Sequence, residues 1–227
     1  MEQVRFHFDP LCPWCYQTSR WARQLERLGE IDLDWAVFSL EVVNLEAGKD
    51  PASLDARSGP ALRTAIVLRD TAGRKAVGHF YAALGARVWE QSPPAAHGVD
   101  TVREALVAAG FEAELCDKAM ADPATWDEVL AEHQLLVERA GGFGVPTIAL
   151  DGGTGPAIFG PVVAALPSDD EAVELWRHVA WLTRYDNFFE LKRERSRRPD
   201  LPAVEWHRQQ REAARAREAE QRPAEPA

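Results

Sequence analysis

The chain has 227 residues, 46% hydrophobic and 27% charged, a balance that excludes wholesale disorder and allows one large domain or one domain carrying an insertion. With 26 Lys plus Arg against 36 Asp plus Glu the formal charge is -10, which disfavours a nucleic-acid partner because like charges repel along a phosphate backbone. Three Cys are too few for a disulfide-stapled scaffold, whereas eight Trp need large buried or cleft surfaces.

Taken in chain order, residues 3–8 alternate, with Val4, Phe6 and Phe8 on one face and Arg5 and His7 on the other, the pattern of a half-buried strand. Asp9-Pro10 ends it. Trp14 to Leu28 reads as a helix with Trp21, Leu25 and Leu28 on one stripe and Gly29 as its stop. Residues 31–38 alternate again, and residues 39–60, rich in Gly, Pro, Ser and Asn, read as a long connection. Helical patterns fill 61–72, 74–90, 99–109, 111–121 and 123–140, with Asp100-Thr101 and Asp122-Pro123 as suitable starts. Strand character returns at 147–150 and at 157–159, separated by a turn at Asp151-Gly152-Gly153. Residues 168–183 form a last core helix, opening with Ser168 three residues before Glu171 as a capping box. Residues 203–221 suit a solvated helix, and 223–227 a frayed end.

The order β-α-β, helices, β-β-α implies an α/β layer split by a helical insertion. The expected division is 1–45 plus 141–190 for the layer, 46–140 for the insertion and 191–227 for a C-terminal extension. That extension carries a charge of +3, leaving -13 on the first 190 residues. No basic, apolar and small-residue succession opens the chain, and no stretch of about 18 apolar residues occurs, so a cytoplasmic protein without a membrane partner is expected.

Cys12-Pro13-Trp14-Cys15 is a C-x-x-C set between a strand and a helix. Cys12 falls at the helix N-terminus and Pro13 at the first helical position, where a missing N–H costs nothing. Unpaired N–H groups and the helix dipole there favour a thiolate at Cys12. Cys15, one turn on, is placed to attack a mixed disulfide formed on Cys12. Cys12 is thus the expected nucleophile and Cys15 the resolving thiol. A zinc knuckle lacks a second ligand pair, since Cys116, His7, His79, His97 and His133 are scattered, so no metal is expected. A structural disulfide and two unrelated buried thiols are the other readings of the same spacing. Gly144-Val145-Pro146-Thr147-Ile148 places a proline just before a strand. In a thioredoxin-type fold a cis Val145–Pro146 bond at this place would lie against Cys12 and leave the Val145 backbone free to pair with an extended substrate; an ordinary trans proline at a strand start is the alternative.

This layout of C-P-x-C, helical insertion and Val-Pro-Thr resembles the DsbA-like thioredoxin superfamily. Phe8-Asp9-Pro10-Leu11-Cys12-Pro13-Trp14-Cys15, Phe159-Gly160-Pro161-Val162 and Phe188-Phe189-Glu190-Leu191-Lys192-Arg193 look like its actinobacterial mycothiol-dependent nitroreductase branch, over about residues 4–198. The resemblance implies a thioredoxin fold with a helical insertion domain and a cytosolic oxidoreductase that draws electrons from mycothiol and can reduce nitroaromatic compounds. It implies no tightly bound cofactor; the partners are a low-molecular-weight thiol and a small aromatic or disulfide substrate. The excess of Arg over Lys, 22 to 4, fits a GC-rich genome. Two departures stand out. Trp14 replaces the His found between the cysteines of periplasmic DsbA proteins, which predicts a less oxidising pair. Val145, where the nitroreductase branch is associated with Thr, leaves the preferred substrate open.

Several residues carry two readings. His7 either tunes Cys12 or is a partly exposed strand residue. Trp14 either stacks on a flat ligand beside the thiol or shields Cys15. Trp21, Trp35, Trp176 and Trp181 fall at core positions, and Trp89 and Trp126 either wall a cleft over Cys12 or pack in the insertion. Cys116 reads as a small buried apolar residue, and the Arg cluster at 192–198 as a solvated face or an anion attractor. The leading function is a dithiol oxidoreductase. Its alternatives are a Cys12-only isomerase or transferase of the kappa-class glutathione transferase kind, and a non-catalytic binding or chaperone-like module.

Overall fold

The computed structural model describes residues 1–141 and 143–220; the expected frayed end at 223–227 lies outside them. Strands β1 (Glu2–Phe8) and β2 (Ile31–Val37) are parallel and joined by helix α1 (Pro13–Arg27), while β3 (Thr147–Ala149) and β4 (Ala157–Phe159) complete a sheet of order β2-β1-β3-β4. β3 runs antiparallel to β1, with Phe6 opposite Ile148, and β4 antiparallel to β3, with Ile148 opposite Ile158. Helix α8 (Asp169–Arg184) packs on α1, where the Trp21 indole N–H donates to the Ala172 carbonyl at 3.3 Å and the Trp21 and Trp176 rings lie 6.3 Å apart. This is the DsbA-like thioredoxin fold.

Between β2 and β3 come α2 (Leu40–Val43), α3 (Gly59–Ala72), α4 (Arg74–Val88), α5 (Val99–Ala108), α6 (Glu114–Ala121) and α7 (Ala124–Ala140). The stretch read as a connection at 39–60 therefore holds a short α-helix, capped by the Ser39 hydroxyl on the Val42 N–H at 3.2 Å, a 3-10 turn at Pro51–Ser53 and the first residues of α3. The other helices lie where apolar periodicity put them, with ends displaced by up to three residues. α3, α4 and α7 lean on β2. As the outer strand, β2 would offer unpaired N–H groups. Side chains meet them in alternation: Glu26 accepts from Leu33 N–H at 3.3 Å, Asp34 from Trp35 N–H at 2.8 Å and Glu132 of α7 from Val37 N–H at 2.9 Å. His133 continues the row, accepting from Ser39 N–H at 3.4 Å.

α4 reaches the layer through two glycines seven residues apart, on one helix face. A Cβ at Gly78 would stand 2.3 Å from Trp35 Nε1, and one at Gly85 only 1.8 Å from Tyr16 Cε2. These close approaches bring Tyr81, between them, into the core. Its ring stacks on Phe8 at 4.1 Å and meets Tyr16 and Trp35 edge-on at 5.8 and 5.7 Å. Each such aromatic pair contributes about 0.5–1.5 kcal/mol beyond its buried area.

Two readings of the sequence need correction. His7 is buried, not partly exposed, because β1 is an inner strand flanked by β2 and β3, and its C-terminal half is covered on both faces. Trp181 is 62% exposed, not core. It lies five residues after the buried Trp176, roughly 140° further round the helix, where its partner is the Tyr185 ring, stacked at 5.2 Å.

Candidate active site

Cys12 is the N-cap of α1, with Pro13 in the first turn as the sequence suggested. Its sulfur accepts from the Cys15 N–H at 3.3 Å, and its thiol points at the Val145 carbonyl at 3.7 Å. The Val145–Pro146 bond is cis, and the Val145 carbonyl in the loop before β3 faces Cys12. Cys15 is fully buried one turn further on, its thiol 3.8 Å from the His7 carbonyl. Both cysteines are free thiols. The structure thus gathers Cys12, Pro13, Trp14, Cys15, Val145 and Pro146 in one place, with the backbone of His7 beneath. Trp14 is half-buried beside the thiol.

The electrostatics differ from expectation. The Cys15 and Trp14 N–H groups draw the Cys12 thiol toward ionisation, as a helix N-terminus should. Burial outweighs them and pushes it up to about 11, with the Asp9 carboxyl adding to the rise. Burial also holds the Cys15 thiol well above its ordinary value, against the Asp9 backbone N–H and the Tyr81 hydroxyl. The His7 ring is pushed down to about 3, first by burial and then by the charges of Arg5, Arg139 and Arg74. It is neutral at physiological pH, and its carbonyl, not its ring, faces Cys15.

Four residues that shape the site were missed or left ambiguous by sequence reasoning. Asp9 is fully buried, and its carboxylate accepts from Leu11 N–H at 2.8 Å and Leu40 N–H at 2.6 Å, clamping the dithiol turn to the start of α2. Burial raises this carboxyl to about 7, opposed by those two N–H groups. An Asp-Pro ending a strand is an ordinary breaker, and only its place just before a C-x-x-C hinted at more. Tyr81 brings its hydroxyl toward the Cys15 sulfur without reaching hydrogen-bond geometry, and that hydroxyl has no other partner among the described residues. Trp89 donates its indole N–H to the Pro10 carbonyl at 3.1 Å and so walls the turn; Trp126 instead donates to Pro51 in the insertion at 3.0 Å. Arg195, one of the Arg cluster, lies over the Trp14 ring.

Other features stand apart. Pro161, preceded by a cis bond, accepts from the Thr18 hydroxyl of α1 at 3.1 Å, which explains the place of the Phe159–Val162 block beside the dithiol helix. Cys116 is buried in α6, its thiol beside the Thr64 hydroxyl of α3. An open groove of about 690 Å³ between residues 52–60, His97–Val99 and the turn from α6 to α7 includes neither Cys12 nor Cys15. Among the described residues no three His, Cys, Asp or Glu come together as a metal site, and no helix is long and apolar enough to cross a membrane.

A cysteine pair at a helix N-terminus facing a cis-proline loop, on this fold, defines a thioredoxin-superfamily oxidoreductase of the DsbA-like class. Structural comparison agrees on the fold. A probable DsbA oxidoreductase from Streptomyces coelicolor superimposes with a TM-score of 0.54 at 20% identity, over 86% of this chain and 95% of that one. The cytosolic disulfide reductase DsbM from Pseudomonas aeruginosa, solved with GSH, gives 0.55 at 14% identity over 79% and 99%. The family follows from sequence. Residues 11–193 match the model of the Rv2466c-like family, described as mycothiol-dependent nitroreductase Rv2466c, and the chain belongs to that family. It is also 39% identical over 198 residues to the uncharacterized protein Rv2286c of Mycobacterium tuberculosis, covering 86% of this chain and 84% of that protein.

Proposed function

We propose that the protein is a cytoplasmic dithiol oxidoreductase that takes electrons from mycothiol and passes them to disulfide or nitroaromatic substrates. Cys12 is the nucleophile and Cys15 the resolving thiol. The observation that carries this reading is the pairing of Cys12 Sγ with the Cys15 N–H at 3.3 Å on one side and the Val145 carbonyl at 3.7 Å on the other. It leaves Cys12 as the outer sulfur and Cys15 sealed behind it.

On a disulfide, the Cys12 thiolate forms a bond to one sulfur and expels the other as a thiolate. Cys15 loses its proton, attacks the Cys12 sulfur and releases the second thiolate, so two electrons leave the dithiol and a Cys12–Cys15 disulfide forms. Two mycothiol molecules restore it, ending as their own disulfide. On a nitro group, the same two electrons and two protons yield a nitroso group and water. The Val145 backbone pairs with extended substrates as one more strand, and Pro13, Trp14 and Pro146 form the rim.

The test is reduction of a nitroaromatic and of a mixed disulfide side by side, with mycothiol and with glutathione as donors. Mycothiol is expected to sustain turnover of at least one of them and to outperform glutathione. If neither thiol reduces the oxidised Cys12–Cys15 pair, the donor assignment is wrong. Full turnover by Cys15→Ser would favour the Cys12-only isomerase or transferase instead.

A further inference from the structure

Beyond α8 the chain runs through residues 186–201 without regular structure and then forms α9 (Pro202–Glu220). The far end of this strap is tied to the catalytic layer and to the insertion. The Asp200 N–H donates to the Ala164 carbonyl at 2.7 Å, Leu201 and Ala203 are buried, and the Ala203 N–H donates to the Trp89 carbonyl at 3.1 Å. Trp89 holds in turn the Pro10 carbonyl, two residues before Cys12. The strap is therefore anchored next to the dithiol turn, and on its way it places the Arg195 guanidinium carbon 5.1 Å from the centre of the Trp14 ring.

A guanidinium over an aromatic face uses its own face and leaves its N–H edge free. Arg195 is exposed and has no carboxylate or hydrogen-bond partner among the described residues, unlike Arg184 at the strap's origin, which is held by Glu2 and Asp151. Its charge acts on the Cys12 sulfur, favouring the thiolate. The first 190 residues carry a net -13, so an approaching anion meets a net repulsive field in which Arg195 is a local positive charge beside Cys12.

We propose that Arg195 is a specificity-determining residue: it binds the anionic group of a flat aromatic acceptor whose ring lies against the Trp14 edge and whose reactive atom meets Cys12. The ligand class is aromatic disulfides and nitroaromatics bearing a carboxylate or sulfonate. This rests on the dithiol reading above.

Two self-reporting aromatic disulfides test it, the anionic 5,5'-dithiobis(2-nitrobenzoate) and the neutral 4,4'-dithiodipyridine. Both are attacked by the same thiolate, so any effect of Arg195 on Cys12 ionisation cancels in the ratio of their rates. Arg195→Glu is expected to lower the anionic-to-neutral ratio roughly tenfold, the scale of one reversed charge at a partly screened surface site, and Arg195→Lys to keep most of it. An unchanged ratio in Arg195→Glu overturns the proposal and leaves the dithiol reading intact. Should Arg195→Glu fail to fold, salt titration of the wild-type protein decides. The ratio falls with added NaCl if a local cation captures the anion, and rises if the overall charge of -10 governs the encounter, which contradicts the proposal. If neither reagent reacts faster with the wild-type protein than with Cys12→Ser, the dithiol reading fails and takes the proposal with it.

Discussion

The dithiol turn and the elements that cover it are built by opposite means. Residues 9–15 take their shape from bonds within a few positions: Cys12 N–H to Asp9 O at 3.1 Å, Leu11 N–H to the Asp9 carboxylate, and Cys15 N–H to Cys12 Sγ. The cover consists of Tyr81, Trp89 and Arg195, which arrive from α4, its C-terminal end and the strap through contacts between residues far apart in the chain. The proposed order of events at the two sulfurs is thus a local property. Their proton affinity and accessibility are set from far away in the chain.

The strongest way to break this contrast is to lift α4 off the layer without touching the turn. Gly85→Ala drives a methyl group into the Tyr16 ring, where only 1.8 Å is available. Overpacking of this kind costs about 1–3 kcal/mol, a fall in Tm of several degrees by calorimetry. Cys15, no longer sealed, should then become alkylated in the folded protein. A Gly85→Ala protein of unchanged Tm with an unreactive Cys15 would mean that α4 does not guard the dithiol. Tyr81→Phe is a gentler probe. Removing a hydroxyl that lies toward the Cys15 sulfur and favours its thiolate should slow closure of the Cys12–Cys15 disulfide by a few-fold, about 1 kcal/mol or less, below the worth of a formed hydrogen bond to a charged group. The first attack by Cys12 should slow much less, so stopped-flow release of the two leaving thiolates separates the steps.

Two effects of pH sharpen the same contrast. Because burial pushes Cys12 up to about 11, its alkylation rate should still be climbing above pH 9. A plateau near neutrality would show the helix N-terminus overruling the cover. The smallest effect concerns stability. The folded protein holds His7 at about 3 and His97 and His133 at about 4 by burial, whereas the unfolded chain protonates them near 6.5. Their contribution is present above about 6.5 and is lost as pH falls toward 4. Asp9, raised to about 7 by burial, acts with the opposite sign: its contribution is present below about 4 and is lost as pH rises to 7. Urea unfolding should therefore show stability increasing between pH 4.5 and 6.5, and more steeply in Asp9→Asn, which is less stable throughout because the clamp on Leu40 is broken.

The same division governs how much of the molecule is legible in its sequence. Elements with a local signature were legible: Pro13 after Cys12 at a helix start, the capping box at Ser168, the short β-branched run at Thr147-Ile148, and the layer split by helices. Burial on two faces was not, because alternation in β1 reports one face only and left His7 on the wrong side of the balance. Trp181 is exposed for a geometric reason: apolar character alone does not carry the five-residue phase that turns it away from Trp176. Tyr81 and Gly85 carry no motif; a helix that is apolar on several sides does not say which side meets the layer. Arg195 lies inside a cluster that composition reads as solvated, and its place over Trp14 goes with ties further along the chain, Asp200 to Ala164 and Ala203 to Trp89.

In the proposed cycle Cys12 is the outer sulfur and Cys15 the one that resolves. The direct measurement is intact-protein and peptide mass spectrometry of Cys15→Ser after exposure to mycothiol disulfide. One mycothiol adduct per chain, located on Cys12 and persisting, is the predicted result, while the wild-type protein under the same conditions passes to a Cys12–Cys15 disulfide without retaining the adduct. No adduct in Cys15→Ser, or one located on Cys116, would contradict the account.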